Sequence, residues 1–470
     1  MALTRPGPRG ERSLTAAAPC GSGRPPSTHA DAEVPPPVGV ALRAMRMEAL
    51  LGDPRDPANP YGQPALWLAG SGALPAAPAE VRTGLGREAR GGAAAGEAPA
   101  PDQLARVLRP LFRRDLALGH AWGVEPLGSL PQGHRLAALL GPAALIAATG
   151  GVLRTVTRIV DGLARHQSAA GQWRPVLAAA FADLLACESL TTVALRSLAV
   201  RAERDGVPSA SDGAEGPGSG GVDGLVAAVG YVVPQLAGEL LDDLELVLNE
   251  CGFRAGSPER RTLAKLAGDR AGAQVDWAGA AFWQARIVCG LGEWTDPSGH
   301  GEHPALRGLF RLGDVGPVVA APGADDCHGA VAATLTGAAA RLAGAGDPVT
   351  GALARVARRL VTEQRALRVA CGPAASYDPA DPAARALADR HALLLLAAAV
   401  LGVREAAAAE NGRFLGDPDW ALLALGRITE RLGAPLPGPT VDPHPGVWAE
   451  IAGRSGHGVD CDVYATKLLW

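Results

Sequence analysis

Two long apolar segments joined by a short polar elbow, between Val152 and Leu198, constrain this chain more than any other feature. The first segment places Val152, Val156, Ile159, Val160 and Leu163 at helical spacing, with Arg154, Arg158 and Asp161 between them. That is one apolar stripe on a helix of 3.6-residue period. The elbow runs from Arg165 to Arg174, and Pro175 restarts the chain. The second segment sets Leu177, Phe181, Leu184, Val193 and Leu198 among alanines, which let a neighbouring helix come close while the larger residues fill the gaps. The pattern predicts a helical hairpin with its apolar face inward.

Composition points the same way. Hydrophobic residues make up 47% of 470 residues, yet aromatics make up only 4%. The core must therefore be Ala, Leu and Val, which favours close-packed helices over sheets. An all-α fold is expected, an up-down helical bundle with additional helices and little or no β-sheet. Formal net charge is −4, so no basic field of the kind that holds nucleic acid is present. The 7 cysteines are scattered and never form a C-x-x-C pair, which argues for a reducing interior and against a disulfide frame or a zinc site. The longest uninterrupted apolar run, Ala392–Val403, falls short of the roughly 20 residues a bilayer requires. A soluble cytoplasmic protein with no membrane partner is the expectation.

Residues 1–36 are rich in Pro, Gly and Arg, lack a secretory apolar region, and are expected to be disordered. A small helical region should follow over 37–120, with helices at Val38–Leu51, Tyr61–Ala69 and Asp102–Leu118, the last capped by Asp102. The prolines and turn-formers of 121–142 predict a connector. The main bundle should span 143–292: the hairpin, a Gly/Ser/Pro linker at Asp205–Gly221, a helix at Val222–Asn249 kinked by Pro234, and helices at Ser257–Gly268, capped by Ser257-Pro258-Glu259, and Trp277–Cys289. After a loop at 293–323, a second helical region fills 324–470. Its helices fall at Gly329–Leu342, Val349–Ala370, Ala380–Ala409 and Asp417–Leu432, and a Pro-rich hinge precedes a short tail.

The hairpin resembles the helix pair that opens the C-terminal domain of acyl-CoA dehydrogenases. There an Arg-x-x-Phe-Gly-x-Pro-type elbow precedes a Leu-Ala-Asp-Met-like helix. Here the elbow reads Arg165-His166-Gln167-Ser168-Ala169-Ala170 and the helix reads Phe181-Ala182-Asp183-Leu184. The resemblance implies FAD as cofactor and α,β-dehydrogenation of acyl thioesters. It places Arg165 and Gln167 as flavin-phosphate contacts. The family's middle β-domain has no counterpart, since no set of period-2 strands separates the N-terminal helices from the bundle. Many members carry the catalytic base as Glu in a Tyr-Glu-Gly-Thr run. The matching stretch here is Val275-Asp276-Trp277-Ala278-Gly279-Ala280, so Ala278 stands where the Glu would be. Asp276 is nearby and could replace it, but capping the following helix is the better reading of this residue. Two functional expectations follow. One is a degenerate, non-catalytic binding or partner subunit in an oligomer, serving an intact paralogue or an acyl carrier. The other is an active flavin-dependent dehydrogenase completed by another subunit.

Other candidates are weaker. Glu239, Asp242, Asp243 and Glu245 form an acidic face without the Glu-x-x-His partner that a carboxylate-bridged metal pair requires. His300, Glu302 and His303 lie close together in one loop, as do Asp325, Asp326, Cys327 and His328 in another, but neither set has a rigid second contributor. Gly84-Leu85-Gly86 and Gly218–Gly221 follow no buried strand, so neither reads as a nucleotide site.

Overall fold

A computed structural model describes residues 36–69, 74–82, 99–130, 133–205, 220–295, 304–312, 327–344, 346–372, 376–410, 414–435 and 441–470. Among them 79% are helical and no sheet forms, so the fold is all-α. The one β-pairing among the described residues is an isolated antiparallel bridge between Val459 and Lys467. Thirteen of the helices described carry the architecture. They are α1 (Pro36–Leu51), α2 (Gln63–Ala69), α3 (Pro101–Arg114), α4 (His134–Ala164), α5 (Arg174–Asp205), α6 (Gly220–Glu250), α7 (Pro258–Gly272), α8 (Trp277–Trp294), α9 (Cys327–Leu342), α10 (Pro348–Ala370), α11 (Pro382–Ala409), α12 (Pro418–Arg431) and α13 (His444–Gly456).

The expected hairpin is α4 and α5, joined by a single 3₁₀ stretch at Ser168–Trp173. Helix α5 departs from the amphipathic expectation. Every residue from 177 to 197 is buried, so the helix is covered on all sides. It packs against α3, α4, α6, α11, α12 and α13. A helix enclosed in this way is the axis of a core, and one apolar stripe could not satisfy it. Its alanines allow the close approach: Ala178, Ala182 and Ala194 are fully enclosed beside Phe181 and Leu190.

Two sequence expectations change. Residues 121–142 are not a connector. His120–Val124 forms a π-helical turn, Glu125–Gly128 forms a further turn, and α4 begins at His134 and runs through Pro142. The boundary placed at 142/143 thus falls inside a helix, because the missing proline donor costs one bond in a helix held by its neighbours. Asp102 does not cap α3. Helix α3 starts at Pro101, and the buried Asp102 carboxylate accepts from Arg196 Nη1 of α5 at 2.8 Å. The short tail packs inside the protein, with Asp460, Cys461 and Asp462 0% exposed. The disorder expected of 1–36 falls almost entirely outside the described residues, as does most of the Asp205–Gly221 linker.

By length and composition α4, α5, α6 and α11 are apolar enough to cross a membrane. Between 67% and 94% of their apolar windows is buried inside the protein, so each covers the others' apolar surface. The six described cysteines are free.

Glycines set the closest helix approaches. A Cβ on Gly402 of α11 would collide with the ring of Phe310, and one on Gly268 of α7 would meet nothing. Gly402→Ala is therefore expected to destabilise the fold by about 1–3 kcal/mol through overpacking. Gly268→Ala should be neutral or stabilising by roughly 0.5–1 kcal/mol. Denaturant unfolding of the two variants beside the parent measures both.

Candidate functional site

The buried tail builds the first half of the site. After α13 the chain reverses at Gly458, whose φ of +65° is a left-handed conformation that suits glycine. Leu468 N donates to Gly458 O at 2.9 Å and Asp460 N to Thr466 O at 2.8 Å, which closes a compact loop. The Asp462 carboxylate ties the far side by accepting from Thr466 N at 2.8 Å. This loop presents Asp460 and Asp462 to α3. Arg109 Nε donates to Asp460 Oδ2 at 2.9 Å, and Arg113 Nη1 donates to the same oxygen at 2.8 Å. Arg109 Nη1 reaches Glu188 Oε1 of α5 at 2.5 Å, and Arg113 Nη2 reaches Glu48 Oε1 of α1 at 2.7 Å. Arg454 of α13 donates to the backbone carbonyl of Asp462 at 2.5 Å, and Val463 N donates to Glu188 Oε2 at 3.1 Å. Gly150 of α4 packs most closely against Leu184, 3.3 Å from where a Cβ would stand, with Cys461 and Arg109 at ordinary contact distance beyond it.

Electrostatics rank these carboxylates. Burial opposes the charge of Asp460, but Arg109, Arg113 and Arg154 outweigh it and hold its pKa well below the ordinary range. Burial dominates at Glu188, and Asp462 and Asp460 add to it against the pull of Arg109, so its carboxyl is pushed up to about 8. The contact with Arg109 would by itself suggest an ionised Glu188. Among the described residues Arg109 is the one cation against Glu188 and is shared with Asp460 and Asp462, so Glu188 holds its proton more tightly than an ordinary glutamate. Burial likewise opposes the charge of Arg109, but Glu188, Asp460 and Asp462 prevail and hold it firmly protonated.

Arg113 also forms a wall of the second half, a cavity of about 480 Å³ beneath the α1–α2 loop and between α3, α4 and α7. That volume lies in the range of small-molecule sites. Six cationic side chains and four side-chain carboxylates line it, an excess of two positive charges. Half of the cations are already satisfied. Arg113 is paired as above, and Arg114 donates to the carbonyls of Gly52 and Tyr61 at 2.5 and 3.1 Å. Lys265 lies 2.5 Å from Asp115 and 2.6 Å from Asp269. The side chains of Arg55, Arg154 and Arg158 have no hydrogen-bond or ion-pair partner among the described residues. Arg154 is half-buried, and its Nε is shut off from solvent without an acceptor. Burial lowers its pKa, Asp460 opposes that, and Arg113 and Arg158 add repulsion. Arg158 is lowered by burial and by Arg55. Trp67, whose Nε1 donates to Thr262 Oγ1 at 3.2 Å, and the half-exposed Trp470 supply two indole walls.

The residues expected from sequence lie elsewhere. Asp276 caps α8, its Oδ1 accepting from Gly279 N at 3.0 Å. Arg165 is exposed and pairs with Asp161 at 2.7 Å one turn away. Gln167 is exposed in extended backbone ahead of the 3₁₀ stretch. In the acidic face Glu239 pairs with Arg431 and Glu245 with Arg260, at 2.8 and 2.7 Å. His300, Glu302, His303, Asp325, Asp326 and Gly84–Gly86 lie outside the described residues, as do Gly218 and Ser219. His328 Nε2 stands 3.0 Å from His391 Nε2 in the core. Among the described residues no three His, Cys, Asp or Glu side chains form a metal-binding group. Periodicity placed Arg154 and Arg158 on the polar side of the hairpin but gave them no task. The available signal was their i,i+4 spacing, a like-charge arrangement that is unfavourable unless an anion is supplied.

Comparison with known protein families, with curated proteins and with solved structures finds no match.

The raised Glu188 group makes a signed prediction. Its folded-state pKa of about 8 lies above the ordinary 4.5. Its contribution to stability is therefore complete below the unfolded value and is lost as pH rises through about 8. The melting temperature should fall between pH 6 and pH 9, and Glu188→Gln, which keeps the shape and removes the titration, should flatten that fall. Glu188→Ala should cost about 1–3 kcal/mol because it leaves Arg109 Nη1 and Val463 N without their acceptor.

Proposed function

We propose that this chain is a non-catalytic binding protein that takes a small anionic ligand in the arginine-lined cavity. One observation carries the reading: Arg55, Arg154 and Arg158 line a single cavity without a carboxylate against any of them. The protein as a whole is acidic, at −4, so acids to pair them were not scarce. Holding like charges together in a partly enclosed site is unfavourable, and an arriving anion offsets that cost.

The acyl-CoA dehydrogenase resemblance fits this reading as that of a bundle used for binding. Ala278 has no proton-accepting group where the family's base would stand, and the nearby Asp276 is engaged in capping. Arg165, the residue matched to a flavin-phosphate contact, is neutralised by Asp161. The protein we propose is soluble and cytoplasmic, with oligomer partners that include an acyl carrier, whose phosphate would suit the cationic rim.

A thermal melt with inorganic phosphate at constant ionic strength tests it. A ligand at about a hundredfold excess over its Kd stabilises by about 2.7 kcal/mol. The melting temperature should rise with phosphate in the parent and stay unchanged in an Arg154→Met, Arg158→Gln double variant. Stoichiometric FAD in the purified protein, bleached by an acyl thioester, would sink the proposal.

A further inference from the structure

We infer that the ligand of the arginine-lined cavity is a phosphate monoester of an aromatic body, its phosphoryl group on Arg154 and Arg158 and its ring against an indole wall. This rests on the binding function proposed above and adds the ligand class. Charge comes first. Arg55, Arg154 and Arg158 line the cavity without a carboxylate against any of them, and a dianion offsets that clustered charge more fully than a monocarboxylate. Geometry comes second. Arg154 and Arg158 follow one another by a turn on α4, with side chains about 5–6 Å apart at their bases. Two guanidinium forks at that spacing can take separate oxygens of one tetrahedral phosphoryl group, and Arg55, which lines the same cavity, offers a fork for the third. A planar carboxylate has only two oxygens to share among three forks. Depth comes third. Arg154 lies inside and Arg158 and Arg55 are exposed, so the anion enters past the outer pair and stops at the inner one.

The walls describe the remainder of the ligand. Trp67 and Trp470 line the same cavity, and Trp67 is held in place by its bond to Thr262. An indole face takes a planar ring by stacking. The cationic lining and the indole walls therefore call for a molecule that is dianionic at one end and flat and apolar at the other.

Isothermal titration of the full chain with phenyl phosphate, inorganic phosphate and benzoate, at fixed ionic strength, tests the inference. Phenyl phosphate should bind at least tenfold tighter than either of the others. Arg158→Gln, at an exposed position where folding is not at stake, should weaken both phosphate ligands at least tenfold. Trp67→Leu should weaken phenyl phosphate and leave inorganic phosphate unchanged. Benzoate binding as tightly as phenyl phosphate overturns the phosphoryl assignment while anion binding stands. Inorganic phosphate matching phenyl phosphate, or an inert Trp67→Leu, overturns the aromatic half. No binding of any of the three overturns both this inference and the function it rests on.

Discussion

A helix enclosed on every side can keep a charge only if another helix brings the counter-charge to it, and α5 keeps several. Asp183 of α5 is held by Arg427 and Arg431 of α12, at 2.7 and 2.8 Å. Glu188 is held by Arg109 of α3, and Arg196 by Asp102 of the same helix. These pairs fix which helix may lie on which side of the axis. Apolar packing is tolerant of exchange, because one Ala/Leu face fits another, whereas an unpartnered buried charge is strongly penalised. The core thus supplies the cohesion and the buried ions restrict the arrangement.

The same requirement explains how the tail comes inside. Arg109 and Arg113 extend from α3 toward α4, where Arg113 lies against Gly151, and both take a carboxylate beyond those that α1 and α5 provide. Asp460 meets them. Its position also sets the field of the neighbouring cavity, since Arg113 is consumed on the tail side while Arg154 feels Asp460 without touching it. The buried tail loop and the cavity are therefore two faces of one arginine layer, one saturated by the protein and the other left for a ligand.

Much of the fold was legible in the sequence. The Val152–Leu198 periodicity, the Ser257 and Asp276 caps and the low aromatic content each act locally, through i to i+4 spacing or one side chain against nearby backbone. The structure follows them: α4, α5, α7 and α8 stand where they were expected, and Ser257 and Asp276 accept from Arg260 N and Gly279 N. The helical stretch around Pro142 was not legible, because a proline signal is local and its outcome depended on neighbours that hold the helix together. The site was less legible still. Arg154 and Arg158 could be placed on one face, but their lack of partners is a statement about α3, α7 and the α1–α2 loop.

Sequence alone determined that this chain is helical, which faces of its outer helices are apolar, and that Ser257 and Asp276 begin two of them. Each of those properties is fixed within a few residues by backbone hydrogen bonding and side-chain period. Only the tertiary structure decided that α5 is the enclosed axis, that Asp460 lies some 350 positions from the Arg109 it neutralises, and that three arginines share one cavity unpaired. Burial and charge pairing are sums over everything packed around a group, and segments distant along the chain contribute most of those neighbours.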